Sequence, residues 1–248
     1  MKALKYLILF FPTVVFASFD FNPIIATLAP SGEASTVAFQ VTNQDKVKIP
    51  VQITIYPRVP DVEGKEDYTD KAAEKIEDQF RVFPNQLILE PNETRTIRVS
   101  WKGNQKLTTE LPFRIIAEEI PVDVSDPNKK YDKAVAHITI STRYIGSLYV
   151  TPNGVKPNLI VEVKNSETAN KGLELELINK GTAHQVVKNP VLKLKSIGTG
   201  KEITCAADEI KDLMNQNIMP GMTRKFHLIW PKELPVGQVK ATLEFAKE

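Results

Sequence analysis

Between residues 134 and 152 the run AVAHITISTRYIGSLYVTP sets Ala136, Ile138, Ile140, Thr142, Tyr144, Gly146, Leu148 and Val150 on one face of an extended chain, since side chains of a strand alternate sides. The run is about three times the mean strand of ~5–6 residues. At ~3.3 Å per residue it overshoots an ordinary sheet at one end or joins two modules. Either outcome leaves backbone and apolar side chains in search of a partner.

Shorter alternating runs surround it, separated by turn residues, and they define an all-β chain. Before it come STVAFQVTN (35–43), VQITIYPRV (51–59), QLILEP (86–91), TRTIRVSW (94–101) and PFRIIAEEI (112–120), which with the long run make a domain of about seven strands. After it, TPNGVKPN (151–158) has the proline, glycine and asparagine content of a hinge. A second series follows: LIVEVKN (159–165), LELELIN (173–179), VLKLKSI (191–197), EITC (202–205), RKFHLIW (224–230) and QVKATLEF (238–245). Their even alternation fits antiparallel sheets with one wet face. The expected organisation is two β-sandwiches in series, over 18–152 and 159–248, joined by a linker at 153–158.

The segment MKALKYLILFFPTVVFA supplies Lys2 and Lys5, an apolar run from Tyr6 to Phe16, and a small-residue site ending at Ala17. It reads as a secretory signal over 1–17, because an apolar run this short, interrupted by Pro12, falls below the ~20 residues of a membrane span. No later segment is apolar enough to span, so no membrane insertion is expected. The 248-residue chain shortened by this segment still exceeds the ~100 residues of one sandwich and fits two. The formal net charge is +2, and loss of the two lysines brings it to zero. A chain without basic excess has no electrostatic footprint for nucleic acid. The one cysteine, Cys205, has no internal disulfide partner and reads as a small buried hydrophobe.

Two charge-dense stretches, DVEGKEDYTDKAAEKIEDQF (61–80) and DEIKDLMNQN (208–217), read as solvated connections, the first with a turn or two of helix at its end. Catalytic constellations are sparse. His137, His184 and His227 are far apart, with no metal-ligand spacing. There is no glycine-rich phosphate loop and no Gly-x-Ser-x-Gly elbow. Glu118 and Glu119 project to opposite faces of one strand and cannot act as an acid–base pair. No enzyme activity, small-molecule substrate, metal or cofactor is expected.

FRVFPNQLILEPNETRTIRVSWKG (80–103), then LPFRIIAEEIP (111–121), then the long strand ending in Leu148-Tyr149-Val150-Thr151-Pro152, resemble the periplasmic chaperones of the chaperone–usher pilus pathway. The phrase PFRIIAEEIP is similar to the archaic, or alternative, branch. The resemblance implies two immunoglobulin-like domains in an L shape, which hold pilus (fimbrial) subunits in the periplasm and pass them to an outer-membrane usher. It also implies donor-strand complementation, in which the chaperone lends an edge strand to a subunit that lacks its last one.

On that reading the long strand is long because part of it completes another protein's fold. Ile138, Ile140, Thr142 and Tyr144 are the implied donor residues; the alternative is that Ile138 and Ile140 fill the domain's own core. In the better-known branches, a basic residue near the first strand and a lysine in the last strand of domain one grip the subunit's terminal carboxylate. Here FNPIIATLAPSG (21–32) has no Arg or Lys, and Ser147 falls near the lysine position. Arg114 and Arg143 are the available cations, either as that anchor or as exposed charges that keep an edge soluble. As a binding cation, Arg114 is expected to be replaceable with little loss of stability.

Glu119 matches a family position in an interdomain ion pair, but Thr151 replaces the arginine before the linker proline, so the domain angle is expected to be fixed differently. A competing reading is a structural pilus subunit or surface adhesin. That reading requires a donor segment after the cleavage site and a domain missing its last strand. SFDFNPIIATLAP alternates weakly, but both domains count enough strands to close.

Overall fold

Alternation in the first half of the chain resolves into nine strands among the residues that the computed structural model describes, 18–120, 141–165 and 172–245. They are β1 (Phe19–Asn22), β2 (Ile25–Leu28), β3 (Thr36–Asn43), β4 (Ile49–Pro57), β5 (Phe80–Phe83), β6 (Gln86–Leu89), β7 (Thr94–Trp101), β8 (Leu111–Glu119) and β9 (Arg143–Val150). One sheet has the order β1-β3-β7-β5 and the other β2-β9-β8-β4-β6. Phe39 and Val41 of β3 face inward with Ile97, Val99 and Trp101 of β7. The other sheet meets them with Val51, Ile53, Ile55, Phe113, Ile115, Leu148 and Val150. Each such side chain contributes about 1.5–3 kcal/mol when fully buried.

Local chemistry sets the corners. Pro23, with no N–H to donate, separates β1 from β2, and the chain crosses there from one sheet to the other. Between β6 and β7, Pro91 followed by Asn92 at φ 62 fits a type II turn, closed by Glu93 N–H donating to the Glu90 carbonyl at 3.0 Å.

The second half holds β10 (Leu159–Asn165), β11 (Leu173–Asn179), β12 (Gln185–Val186), β13 (Pro190–Ser196), β14 (Glu202–Thr204), β15 (Asn217–Ile218), β16 (Thr223–Leu228) and β17 (Val239–Phe245). Sheets β10-β11-β16 and β14-β13-β17 enclose a separate core that includes Leu175, Leu192, Leu213, Phe226 and Trp230. The fold is therefore all-β, with two sandwiches in series. Both use the same buried device. Asn43 at the end of β3 donates to the Val47 and Leu89 carbonyls, and Asn179 at the end of β11 donates to those of Ala183 and Ile218.

Three readings are revised. The short strands β1 and β2 fall in the weakly alternating SFDFNPIIATLAP and β5 at the head of FRVFPNQLILEP, none of them among the strands expected from the sequence. The 208–217 stretch is not simply solvated, since Ile210 and Leu213 are in the second core. The 61–80 stretch has its short helix, α1 (Asp70–Glu74), but its first part is docked rather than free. Cys205 is buried, and that burial, with Glu209 nearby, pushes its thiol up to about 11.

Candidate functional site

Strand β9 is only partly covered on its outer side. Its parallel partner β2 pairs from Ile25 opposite Ser147 to Leu28 opposite Val150. Ser147 N–H also donates to the Ile24 carbonyl at 2.8 Å, and Gly146 lies so close that an added Cβ would stand 2.9 Å from that oxygen. N-terminal to Gly146, β9 has no strand on this side among the described residues. Ile24, Ile25 and Ile145 are exposed around the uncovered stretch, Ile145 at 40%. Unpaired backbone beside exposed apolar side chains is a template for an added strand.

A buried charge cluster lies where the covering begins. Tyr56, Arg114 and Ser147 are register partners on β4, β8 and β9, so their side chains share the outer face of the sheet. Arg58 continues that face beyond β4. The segment from Asp61 to Thr69 lies over it and inserts Glu66, whose side chain is 9% exposed. Arg114 grips this carboxylate with both prongs, Nε donating to Oε2 at 2.7 Å and Nη2 to Oε1 at 2.9 Å. Arg58 Nε donates to Oε1 at 2.9 Å and the Tyr68 hydroxyl to Oε2 at 2.6 Å. The remaining arginine donors are held in turn, Arg114 Nη1 by Ser147 Oγ at 2.8 Å and Arg58 Nη1 by Tyr149 Oη at 3.0 Å.

Burial by itself would raise the Glu66 carboxyl. The hydrogen bonds from Arg114, Tyr68 and Arg58 more than offset it and hold the group at about 2. The carboxylate is therefore lowered from 4.5, and what it contributes to stability is present above that value and is lost as pH falls towards 2. The difference corresponds to roughly 3 kcal/mol. Urea denaturation of wild type and Glu66→Gln across this range is expected to show the wild-type advantage closing as pH drops from about 4.5 to about 2. An advantage that persists unchanged at the acid end places the stabilisation elsewhere.

The same neighbourhood ties the two sandwiches together. Glu110, 2% exposed, accepts from Thr151 Oγ1 at 2.8 Å and from the His184 backbone N–H at 3.0 Å, and its Oε1 lies 2.5 Å from His184 Nδ1. Burial opposes its charge, but these partners lower the carboxyl overall. His184 stacks on Tyr149 with ring centroids 4.1 Å apart, and Asn217 Nδ2 donates to Tyr149 Oη at 2.8 Å. The docked loop bridges as well: Lys225 N–H donates to the Val62 carbonyl at 2.8 Å, and Arg224 Nη2 to that of Glu63 at 3.2 Å.

The residues singled out in the sequence fall as follows. Ile138 and Ile140 lie outside the described residues. Thr142 Oγ1 lies 3.0 Å from Ser18 Oγ, just before β9, and donates to it, because the one Ser18 hydroxyl proton goes to Glu119. Tyr144 packs edge-on against Phe19 at 5.0 Å and donates to the Phe19 carbonyl at 2.8 Å, which makes it part of this domain's own packing. Arg114 is at the charge cluster. Arg143 stands at its margin: it is rooted four residues before Ser147, ~13 Å along the strand, pairs with Glu118 at 3.3 Å, and lies over the Tyr68 ring at 5.6 Å from the centroid.

Glu119 requires correction. It is eight residues from the junction end of β8, ~26 Å away, and accepts from Ser18 Oγ at 2.8 Å. Glu110 is the carboxylate between the sandwiches, bonded by Thr151 where the resemblance implied an arginine. Arg114 is also no bare binding cation, since its partner Glu66 is buried. Arg58, Glu66, Tyr68 and Tyr149 were not picked out from the sequence. The one available signal was Tyr56 with Arg58, two large side chains on the outer phase of a strand whose earlier outer positions are Gln52 and Thr54.

A family model described as pili and flagellar-assembly chaperone, PapD N-terminal domain, matches residues 26–156. Among solved structures, the chain is similar to the CsuC–CsuE chaperone–tip adhesion subunit pre-assembly complex from archaic chaperone-usher Csu pili of Acinetobacter baumannii. That match has 16% identity over 86% of this chain and 91% of that one, with a TM-score of 0.52. It is also similar to the E. coli chaperone DraB, at 19% identity over 90% and 87% of the two chains and a TM-score of 0.52. The Salmonella enterica SafA pilin in complex with the SafB chaperone gives 15% identity, 88% and 86% coverage and a TM-score of 0.52. At these identities the likeness is one of fold. Compared with curated proteins, the sequence finds no significant match.

Proposed function

The chain belongs to the pili and flagellar-assembly chaperone family, and we propose that it captures pilus subunits by lending them the strand edge that begins on β9. The observation that carries this reading is the abrupt end of β2 pairing at Ser147, which among the described residues leaves the preceding part of β9 open beside exposed Ile24, Ile25 and Ile145. An added strand there would satisfy backbone groups of both chains. Ile138, Ile140 and Thr142 share the sequence phase of Tyr144 and would extend its apolar face into the subunit.

A strand that adds to the open edge runs into Ile24 and stops beside Ser147. Arg114 reaches that point across β9, so a chain end parallel to β9 would bring its carboxylate to Arg114, with Arg58 behind it. Arg143, already paired with Glu118 and lying over the Tyr68 ring, serves as a charge on the edge. The work is binding rather than catalysis. It takes place in the periplasm after removal of residues 1–17, and the captured subunit is handed to an outer-membrane usher.

Coexpression with a pilin from the same genome tests this reading. The expected result is a soluble periplasmic complex in which this chain begins at Ser18 by intact mass and the pilin is spared degradation. Recovery of this chain alone, with the pilin equally degraded whether or not it is present, counts against the proposal.

A further inference from the structure

The buried cluster already holds a carboxylate, and it comes from the protein itself. Glu66 receives four hydrogen bonds from two guanidiniums and a phenol, two of them from the parallel donors of Arg114. This is the geometry in which arginine recognises a carboxylate of any origin. The socket also stands at the point where a strand added to the open β9 edge must end. Its occupant is carried on an exposed loop, from Asp61 to Thr69, with no regular secondary structure.

The geometry points to Glu66 as a resident plug: it neutralises Arg58 and Arg114 in the free protein and must be displaced by the terminal carboxylate of an incoming chain. This rests on the strand-edge reading given above. Two arginines facing the same buried point repel when nothing lies between them, so an empty socket is costly and the loop supplies its counterion. A peptide α-carboxylate offers the same two oxygens and the same charge, so the exchange leaves the socket neutralised to the same degree. A chain end lacking the charge cannot make that exchange. The plug therefore selects for a free chain terminus and keeps the cation pair from collecting other anions.

The loop is built to release. Its tip is closed on itself, with Asp61 Oδ1 accepting from the N–H groups of Glu63 at 3.0 Å and Lys65 at 2.8 Å, so the turn keeps its shape without the sheet. Its grip on the second sandwich is the Val62 and Glu63 carbonyls against Lys225 and Arg224. Gly64, at φ +85, lies against the Arg224 guanidinium, and an added Cβ would fall 2.2 Å from it. Arg224 Nε finds no partner there. Gly64→Ala thus loosens the loop without touching the socket.

The test uses the full mature chain and two fluorophore-labelled probes, a decapeptide of alternating valine and threonine with a free carboxylate and its C-terminal amide. If the plug is seated more than nine-tenths of the time, removing it raises affinity about tenfold or more, because apparent affinity scales with the open fraction. Glu66→Gln is expected to bind the acid probe at least about tenfold tighter than wild type, with the preference for acid over amide rising in step. Gly64→Ala is expected to shift in the same direction by less, and it decides the matter if Glu66→Gln does not fold. In either background Arg114→Ala is expected to remove the preference. If wild type prefers the acid and neither variant gains, the anchor holds and the plug is overturned. If no protein distinguishes acid from amide, the carboxylate-anchored strand falls and the plug with it.

Discussion

Replacing Ile138 and Ile140 together with Asp is expected to abolish subunit capture while leaving the protein's own melting temperature within a few degrees of wild type. The open side of β9 ends at Gly146, and the residues that precede β9 in the chain carry the same alternation as Tyr144, Leu148 and Val150. Those last three belong to the first core or pack against it. On the proposed reading this apolar face is covered by the captured subunit. Two isoleucines buried in a subunit would contribute about 1.5–3 kcal/mol each. Two aspartates in the same place would have to lose their charge or stay out, at a cost of several kcal/mol. Capture is read as protection of the coexpressed pilin, and folding by the melting curve of the purified variant. If the variant itself unfolds, the isoleucines belong to this domain and the donor assignment is wrong.

Arg114→Ala is expected to lower stability by roughly 3 kcal/mol, because it removes the two-pronged partner of a buried carboxylate and leaves Glu66 with Arg58 and Tyr68 only. For two domains of this size each kcal/mol corresponds to roughly 2–4 °C in melting temperature. The expectation differs from the one drawn from the sequence, where Arg114 was a binding cation with little structural role. Glu66→Gln placed on top should recover part of the loss, since the uncharged amide tolerates the missing partner better. Contacting pairs of this kind couple by about 0.5–3 kcal/mol. Strict additivity of the two substitutions in urea denaturation would mean that the 2.7 Å contact carries no energy of its own.

The sheets were largely legible in the sequence, because period-two alternation survives wherever one face of a strand is buried and the other wet. Strands β7, β10 and β11 coincide with their alternating runs, and β3, β4, β8, β13, β14, β16 and β17 differ by about one or two residues at one or both ends. The site was legible only in part. Arg114 was found through a family phrase. Its partner lies 48 positions away in a segment rich in Asp, Glu and Lys, and such a segment looks the same in sequence whether it is solvated or docked. Nothing local marks Glu66 as different from Glu63, which offers only its backbone carbonyl to Arg224. Burial of a charge is decided by what the chain brings to it from elsewhere. The interdomain carboxylate was missed for a similar reason, since Glu110 meets His184 across 74 residues of chain.

Arg114 and Ser147 stand directly opposite each other on β8 and β9. A long cation rooted at either position can present its charge at the same spot on the outer face. For the better-known branches the resemblance implies a lysine near this β9 position; here Ser147 falls near it, and a guanidinium arrives from the adjacent strand. If Arg114 is the anchor, a comparison down one alignment column records a charge as lost although a cation reaches the same spot from the neighbouring strand. Covariation between the two columns is the quantity to follow, with a basic residue on one side and a small one on the other. Two long cations there would crowd and repel, and two small residues would leave the buried acid with Arg58 alone.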